Sequence, residues 1–208
     1  RGPAPPVLEL PTDRPRPSAR RFAGATYALR LPAATTAGLI ALARRSETTP
    51  FTVLLTALAA VLHRWSGQDD LVVGAPTAGR DLPGAVDLGD LVGYFVNPVA
   101  LRLPVAAGST FEDFLGAARR SAVLSFAHRQ LPFARLAELL QPERDLSRSP
   151  LFDVLLAFET AGAQAGDGAA GVAALALGQA GPPIPFADLA LEPLPLAVGG
   201  APFDLTLV

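Results

Sequence analysis

Apolar positions recur along this chain at periods that change from block to block, and the changes mark out its elements. Residues 25–31, Ala-Thr-Tyr-Ala-Leu-Arg-Leu, put an apolar side chain at every second position, the period of a half-buried strand that Pro32 ends. Thr35 to Ser46 then sets Leu39, Ile40, Leu42 and Ala43 on one helical face, with Arg44 and Arg45 where cations suit the C-terminal end of the helix dipole. Thr49 reads as the cap of a second helix, Pro50 as its first residue and Gly67 as the left-handed residue past its end. Phe51, Val53, Leu54, Leu55, Leu58, Val61, Leu62 and Trp65 cover more than one stripe, so this helix is expected to be buried on most sides.

Leu71 to Ala75 is a short apolar run between Asp69-Asp70 and Pro76, as an interior strand requires. Pro83, Gly84 and Gly89 mark a loop, and a second strand is expected from Tyr94 to Leu103. Ser109-Thr-Phe-Glu112 has the form of a capping box and opens a helix whose apolar face is Phe111, Phe114, Leu115, Ala118, Val123 and Phe126. A shorter helix after Pro132 carries Phe133, Leu136, Leu139 and Leu140 and stops at Pro142; Leu151 to Phe158 is the next interior strand. Residues 160–185 are rich in Ala, Gly, Gln and Pro and predict a mobile loop or irregular crossover. Strands at 189–196 and 203–208 follow. Helices alternating with interior strands define an α/β class, a mixed β-sheet layered with helices.

Composition narrows the function. The 208 residues make one domain or half of a two-lobed one. Residues 1–21 hold six prolines and read as an extended linker, in which Arg14, Arg16, Arg20 and Arg21 are expected to be solvated, leaving 22–208 as the folded lobe. A formal charge of −2 gives no electrostatic case for nucleic acid. Without cysteine there is neither a disulfide framework nor a thiolate site, and a reducing cytoplasm is the expected home. Thr52, Thr56, His63 and Arg64 interrupt the apolar stretch from Phe51 to Trp65, short of the roughly 18 apolar residues of a membrane span. The start, Arg1-Gly-Pro-Ala-Pro-Pro, has no signal-peptide pattern, and the chain is expected to begin within a longer protein. Half its residues are hydrophobic, as in a lobe that packs against a partner.

Chemistry at neutral pH must start with His63 or His128, the two histidines, and each reads as a structural residue near a helix end. With no lysine in the chain, P-loop and Schiff-base chemistry are excluded, and neither a Gly-x-Ser-x-Gly elbow nor a His-Glu-x-x-His occurs. No metal site is expected. Gly74-Ala-Pro-Thr-Ala-Gly79-Arg80 reads as a strand exit and turn, because Pro76 removes a donor that a phosphate loop would need. Asn97 lies within a predicted strand, where its amide either ties two elements together or faces a cavity.

Three segments carry a resemblance. Val92-Gly93-Tyr94-Phe95-Val96-Asn97-Pro-Val-Ala-Leu-Arg102, His128-Arg-Gln-Leu-Pro132-Phe133 and Arg144-Asp145-Leu-Ser147-Arg148-Ser-Pro150, with Gly67 to Arg80 before them and Phe203-Asp-Leu-Thr-Leu207 after, resemble the C-terminal half of a condensation domain of nonribosomal peptide synthetases, and Pro5 to Pro17 resembles the stretch that joins its two halves, which makes 1–21 an inter-lobe linker. The resemblance implies a chloramphenicol acetyltransferase-like lobe, one wall of a tunnel in which phosphopantetheine arms of donor and acceptor carrier proteins meet and an amide forms. It further implies partners in an N-terminal lobe and an adjacent adenylation domain, and a tunnel lined in part by Tyr94, Asn97 and Arg102. The family's His-His-x-x-x-Asp-Gly motif does not occur here, so no catalytic residue is expected in this chain. Other departures are His128-Arg-Gln-Leu-Pro-Phe-Ala134 for the usual His-Gln-Asp-x-Pro-Phe-Glu, and Asn97-Pro98 for the usual Asn-Thr. The alternative expectation is a non-catalytic lobe that docks carrier proteins.

Overall fold

The computed structural model describes residues 5–80, 88, 91–140, 145–159, 169–176, 178–196 and 199–208. The expected loop at Pro83, Gly84 and Gly89, the helix stop at Pro142, Arg144, and residues 160–168 lie outside the described residues. In chain order the elements are α1 (Ala33–Arg45), α2 (Pro50–Ser66), β1 (Asp70–Thr77), β2 (Asn97–Pro104), α3 (Phe111–Ala127), α4 (Phe133–Leu140), β3 (Val154–Leu156), α5 (Ala169–Ala176), β4 (Ile184–Phe186), β5 (Leu189–Leu191) and β6 (Leu205–Leu207). They fall into two compact units, one of Arg1–Arg21, Leu29–Leu156 and Phe203–Leu207, the other of Phe22–Ala28, Ala157–Pro202 and Val208.

The larger unit is built on a mixed sheet of order β2-β1-β3-β6, antiparallel between β1 and β2 and parallel elsewhere. Period two sorts its side chains. Leu71, Val73, Val99, Leu101, Leu103, Val154 and Leu156 join Leu55, Leu62 and Phe114 of α2 and α3 in the main core, while Val72 faces the other side with Leu151, Phe152 and Phe133. Thr49 caps α2 by accepting from the N–H of Thr52, and Gly67 ends it at φ 70°. No residue of α2 from Pro50 to Ala60 is exposed, as expected of a helix buried on most sides, and only Val61, Arg64 and Trp65 near its C-terminus are open. The capping box of α3 sits one residue later than the spacing predicts, with Thr110 as cap and Asp113 as its partner; Phe111 and Val123 lie outside the buried face formed by Phe114, Leu115, Ala118 and Ala122.

Strands depart from expectation where they lack a partner. Residues 25–31 form neither helix nor strand and are exposed, with Tyr27 88% accessible. β2 begins at Asn97 and not Tyr94, because its partner β1 ends at Thr77, the residue paired with Asn97. β3 is three residues long, because Leu151 takes a left-handed φ of 65° and the N–H of Phe152 turns back to the carbonyl of Pro150 at 2.8 Å, which no ladder accommodates.

In the smaller unit, part of the expected loop at 160–185 is ordered: α5 occupies 169–176, where alanine has the highest intrinsic helix propensity, and β4 starts at Ile184. β4 and β5 form an antiparallel hairpin. β5 ends at Leu191, ahead of Pro193 and Pro195, which cannot donate to a ladder.

Candidate functional site

Asn97, first residue of β2, uses its whole carboxamide on the turn that joins α3 to α4. Its Nδ2 donates to the carbonyls of Arg129 at 2.8 Å and Leu131 at 2.9 Å, and its Oδ1 accepts from the N–H of Phe133 at 2.9 Å. The main chain of Asn97 is tied as well, since the Thr77 hydroxyl donates to its carbonyl at 2.7 Å. Both amide N–H groups are thus consumed on the turn, the first of the two roles the sequence left open. The turn carries His128 and Pro132, and it delivers the Phe133 ring to Phe152 at 5.3 Å between centroids, with Phe203 5.5 Å further on.

Just before Asn97, residues 91–96 are anchored by Arg80. Its guanidinium donates to the carbonyls of Leu88 and, at 2.8 Å, Leu91, and stacks over the Phe95 ring 4.5 Å from the centroid. Gly79, at φ 66°, permits this approach, because a Cβ there would overlap the carbonyl oxygen of Phe95. Tyr94 projects outward from this anchored segment, 86% accessible, with Val96 partly exposed beyond Gly93 and Phe95. The expected turn at Gly79-Arg80 is therefore an organiser of the Tyr94 segment.

A third constellation is the turn after Arg144, in which the Asp145 carboxylate accepts from the Ser147 N–H at 2.8 Å and hydroxyl at 2.6 Å. These bonds, with smaller help from the charges of Arg148 and Arg16, hold the Asp145 carboxyl below the usual carboxylate range. Arg148, 11% exposed, pairs with the buried Asp153 at 3.0 Å and with Glu9 at 2.8 Å. Asp153 also accepts from the N–H of Ser149 at 3.1 Å. Pro150 and Leu151 complete the turn, beside a cleft of about 200 Å³ lined by Pro5, Leu8, Val72, Leu140 and Phe152.

The remaining sequence candidates lie apart from these. Arg102 points to Asp70 on β1, with Nε 3.0 Å from each carboxylate oxygen and Nη2 at 2.6 Å, and this hydrogen-bonded pairing raises its already high pKa. His63 lies at the end of α2 with Nδ1 2.9 Å from the Gln68 carbonyl and 3.3 Å from Asp69. His128 is the C-cap of α3. No group of three or more His, Asp or Glu side chains among the described residues could hold a metal ion, and no described helix is long and apolar enough to cross a membrane. Sequence reasoning missed Glu9, Arg16, Gln68, Asp153 and Asp204. The one local sign was Asp153, an acid inside an apolar run five residues after Arg148.

Known proteins resemble this chain in sequence and in fold. Phosphinothricin tripeptide synthetase PhsC of Streptomyces viridochromogenes is 45% identical over 156 residues, 75% of this chain and 14% of that protein. Malpibaldin synthetase of Mortierella alpina is 43% identical over 156 residues, 75% of this chain and 3% of its own length. This chain therefore spans a small part of the curated relatives it matches. Among solved structures, a four-domain nonribosomal peptide synthetase bound to AMP and glycine superposes with a TM-score of 0.84 at 29% identity, over 98% of this chain and 15% of that one. The X-domain from teicoplanin biosynthesis gives 0.65 at 32% identity, over 72% and 32%. The profile of the condensation domain matches residues 3–181, and with these relatives it places the chain in the condensation domain family of nonribosomal peptide synthetases.

Proposed function

We propose that this chain is the C-terminal lobe of a condensation domain, and that with a His-His-x-x-x-Asp-Gly lobe it joins two carrier-protein-bound acyl or aminoacyl thioesters through an amide bond. The observation that carries this reading is the condensation-domain match over residues 3–181, taken with the order of the Val92–Arg102, His128–Phe133 and Arg144–Pro150 segments. The first condensation domain of the calcium-dependent antibiotic synthetase, at 24% identity and TM-score 0.57, shares its fold with 68% of this chain, and that match takes up 31% of the solved domain. Neither histidine here is followed by the family's Asp-Gly, so the proton of the attacking amine would be managed by the other lobe.

On this reading the chain supplies one tunnel wall and positions the tethered substrates. Tyr94 is its exposed tunnel candidate. Asn97 acts on the wall through the 129–133 turn, and the guanidinium of Arg102 is held by Asp70. The phosphopantetheine arms belong to the donor and acceptor carrier proteins, and an adenylation domain is the expected neighbour in the same synthetase.

The test is amide formation from two loaded carrier proteins, with this chain alone and within its parent protein. Product is expected from the parent and not from the chain alone. Product from the chain alone, lost in His128→Ala, overturns the reading. One observation favours the second reading, a docking lobe without chemistry: the similarly folded X-domain from teicoplanin biosynthesis has been solved in complex with OxyB. Carrier-protein binding by a parent protein that forms no amide would select it.

A further inference from the structure

Proline removes backbone donors, so a segment with five prolines between residues 5 and 21 is poorly equipped to bind to a fold through its own main chain. Residues 5–21 are nevertheless fixed, mainly by side chains. The carboxamide of Gln68 brackets Leu8, accepting from the N–H of Glu9 at 2.7 Å and donating to the carbonyl of Val7 at 2.8 Å, as a neighbouring strand would. Leu8 itself is 6% exposed and belongs to the main core with Leu62 and Leu71.

Arg148 holds the same stretch from another side. Its Nη1 donates to the carbonyl of Leu8 at 2.9 Å and its Nη2 to the carboxylate of Glu9 at 2.8 Å. Further along, Arg16 donates to the carbonyl of Ser147 at 3.2 Å and forks onto the Asp204 carboxylate, while the N–H of Arg20 reaches the carbonyl of Leu146 at 3.1 Å. The arginines expected to be solvated thus include one that is bound at both ends of its fork.

We propose that residues 5–21 are a clamped arm that moves with the sheet unit and not a hinge. Arg148 is one of two coupling groups, with Arg16. Arg148 contacts the arm and Asp153 together, and the carbonyl of Asp153 accepts from the N–H groups of Asp204 and Leu205 at the start of β6. Movement of the arm is delivered to the β3–β6 side of the sheet through two guanidiniums, Arg148 by way of Asp153 and Arg16 by way of Asp204. The clamp stands on these contacts alone; its role as a connector between lobes rests on the function proposed above.

Amide-resolved hydrogen exchange on the full chain tests the clamp without reference to activity. The Glu9 amide is expected to exchange at least about a hundredfold more slowly than in a free peptide. Gln68→Ala, which removes two hydrogen bonds, should accelerate it about thirtyfold while the amides of β1 keep their rates. Arg148→Lys keeps a charge beside Asp153 but loses the fork, and should accelerate Glu9 selectively too; if it does not fold, Gln68→Ala carries the test. Free-peptide exchange at Glu9 in the unaltered chain, or no acceleration in Gln68→Ala, overturns the proposal. A protected arm in a parent protein that forms no amide would leave the clamp standing and remove the catalytic reading.

Discussion

Gly74 lies directly beneath the ring of Phe152: a Cβ at residue 74 would overlap three of its ring carbons. A glycine inside a central strand is otherwise unfavourable, and here the missing side chain makes room for the middle ring of the Phe133–Phe152–Phe203 stack. Gly74→Ala is expected to destabilise the chain by about 1–3 kcal/mol through overpacking. Phe152→Leu, which shortens the side chain over the same spot, should cost less in the Gly74→Ala background than in the unaltered chain. Denaturant melts of the four proteins in this cycle measure the coupling.

The carboxamide of Asn97 gives two donors and one acceptor to a single turn, so its two close replacements should behave differently. Asn97→Ala is expected to cost about 1–3 kcal/mol at all pH values, the penalty for polar groups left unpaired. Asn97→Asp keeps the acceptor for Phe133 but sets a carboxylate against two carbonyls, which raises the folded-state pKa of the introduced carboxyl. Its contribution is therefore most favourable below the unfolded carboxylate pKa of about 3.9 and is lost as pH rises through the folded value. Melts of both variants at acid and neutral pH should show a pH-dependent penalty for Asn97→Asp alone.

Asp145 should titrate below an ordinary aspartate, because the Ser147 hydroxyl and N–H both donate to its ionised form. A lowered folded-state pKa contributes stability above the unfolded value of about 3.9, and that contribution disappears as pH falls through the folded value. Ser147→Ala removes the larger of the two causes and should move the Asp145 titration upward, read from the carboxyl carbon shift by NMR.

Two arginines with carboxylate partners should differ in worth. Arg148→Ala leaves Asp153, 6% exposed, without its counter-charge, and should cost about 3 kcal/mol or more. Arg102→Ala opens a bidentate pair whose partners are both more than a third exposed, and should cost about 1 kcal/mol or less. Urea unfolding of the two variants, compared at one ionic strength, checks the order.

Legibility follows the range of the interactions. Thr49, Pro50 and Gly67 can be placed from sequence because a cap, a first-turn proline and a left-handed terminus act within one turn of their own helix. Sequence cannot separate Thr110 from Ser109 as the cap of α3, because either hydroxyl has an acidic residue three positions on, Asp113 or Glu112, and only packing of Phe114 and Leu115 decides the register. The 25–31 stretch has strand periodicity without a strand, since pairing needs a second chain segment that its own pattern cannot reveal. At the candidate site, Asn97 stands out as a polar residue in an apolar run. Its partners, 32 to 36 residues away, carry no mark of their own because they are backbone groups.

The clamp on the N-terminal arm also bears on the order in which the molecule assembles. Its contacts join residues 140 positions apart at Arg148 and Leu8, and 188 at Arg16 and Asp204, close to the full length of the chain. Bringing such distant residues together costs loop-closure entropy that nearby contacts avoid, so the helices and the β1–β2 pair are expected to form first and the arm to lock last. Interactions that form after the transition state leave the rate of folding nearly unchanged and slow the reverse reaction. Substitutions of Arg16 and Arg148 are therefore expected to speed unfolding more than they slow folding, as stopped-flow rates of the two variants would show.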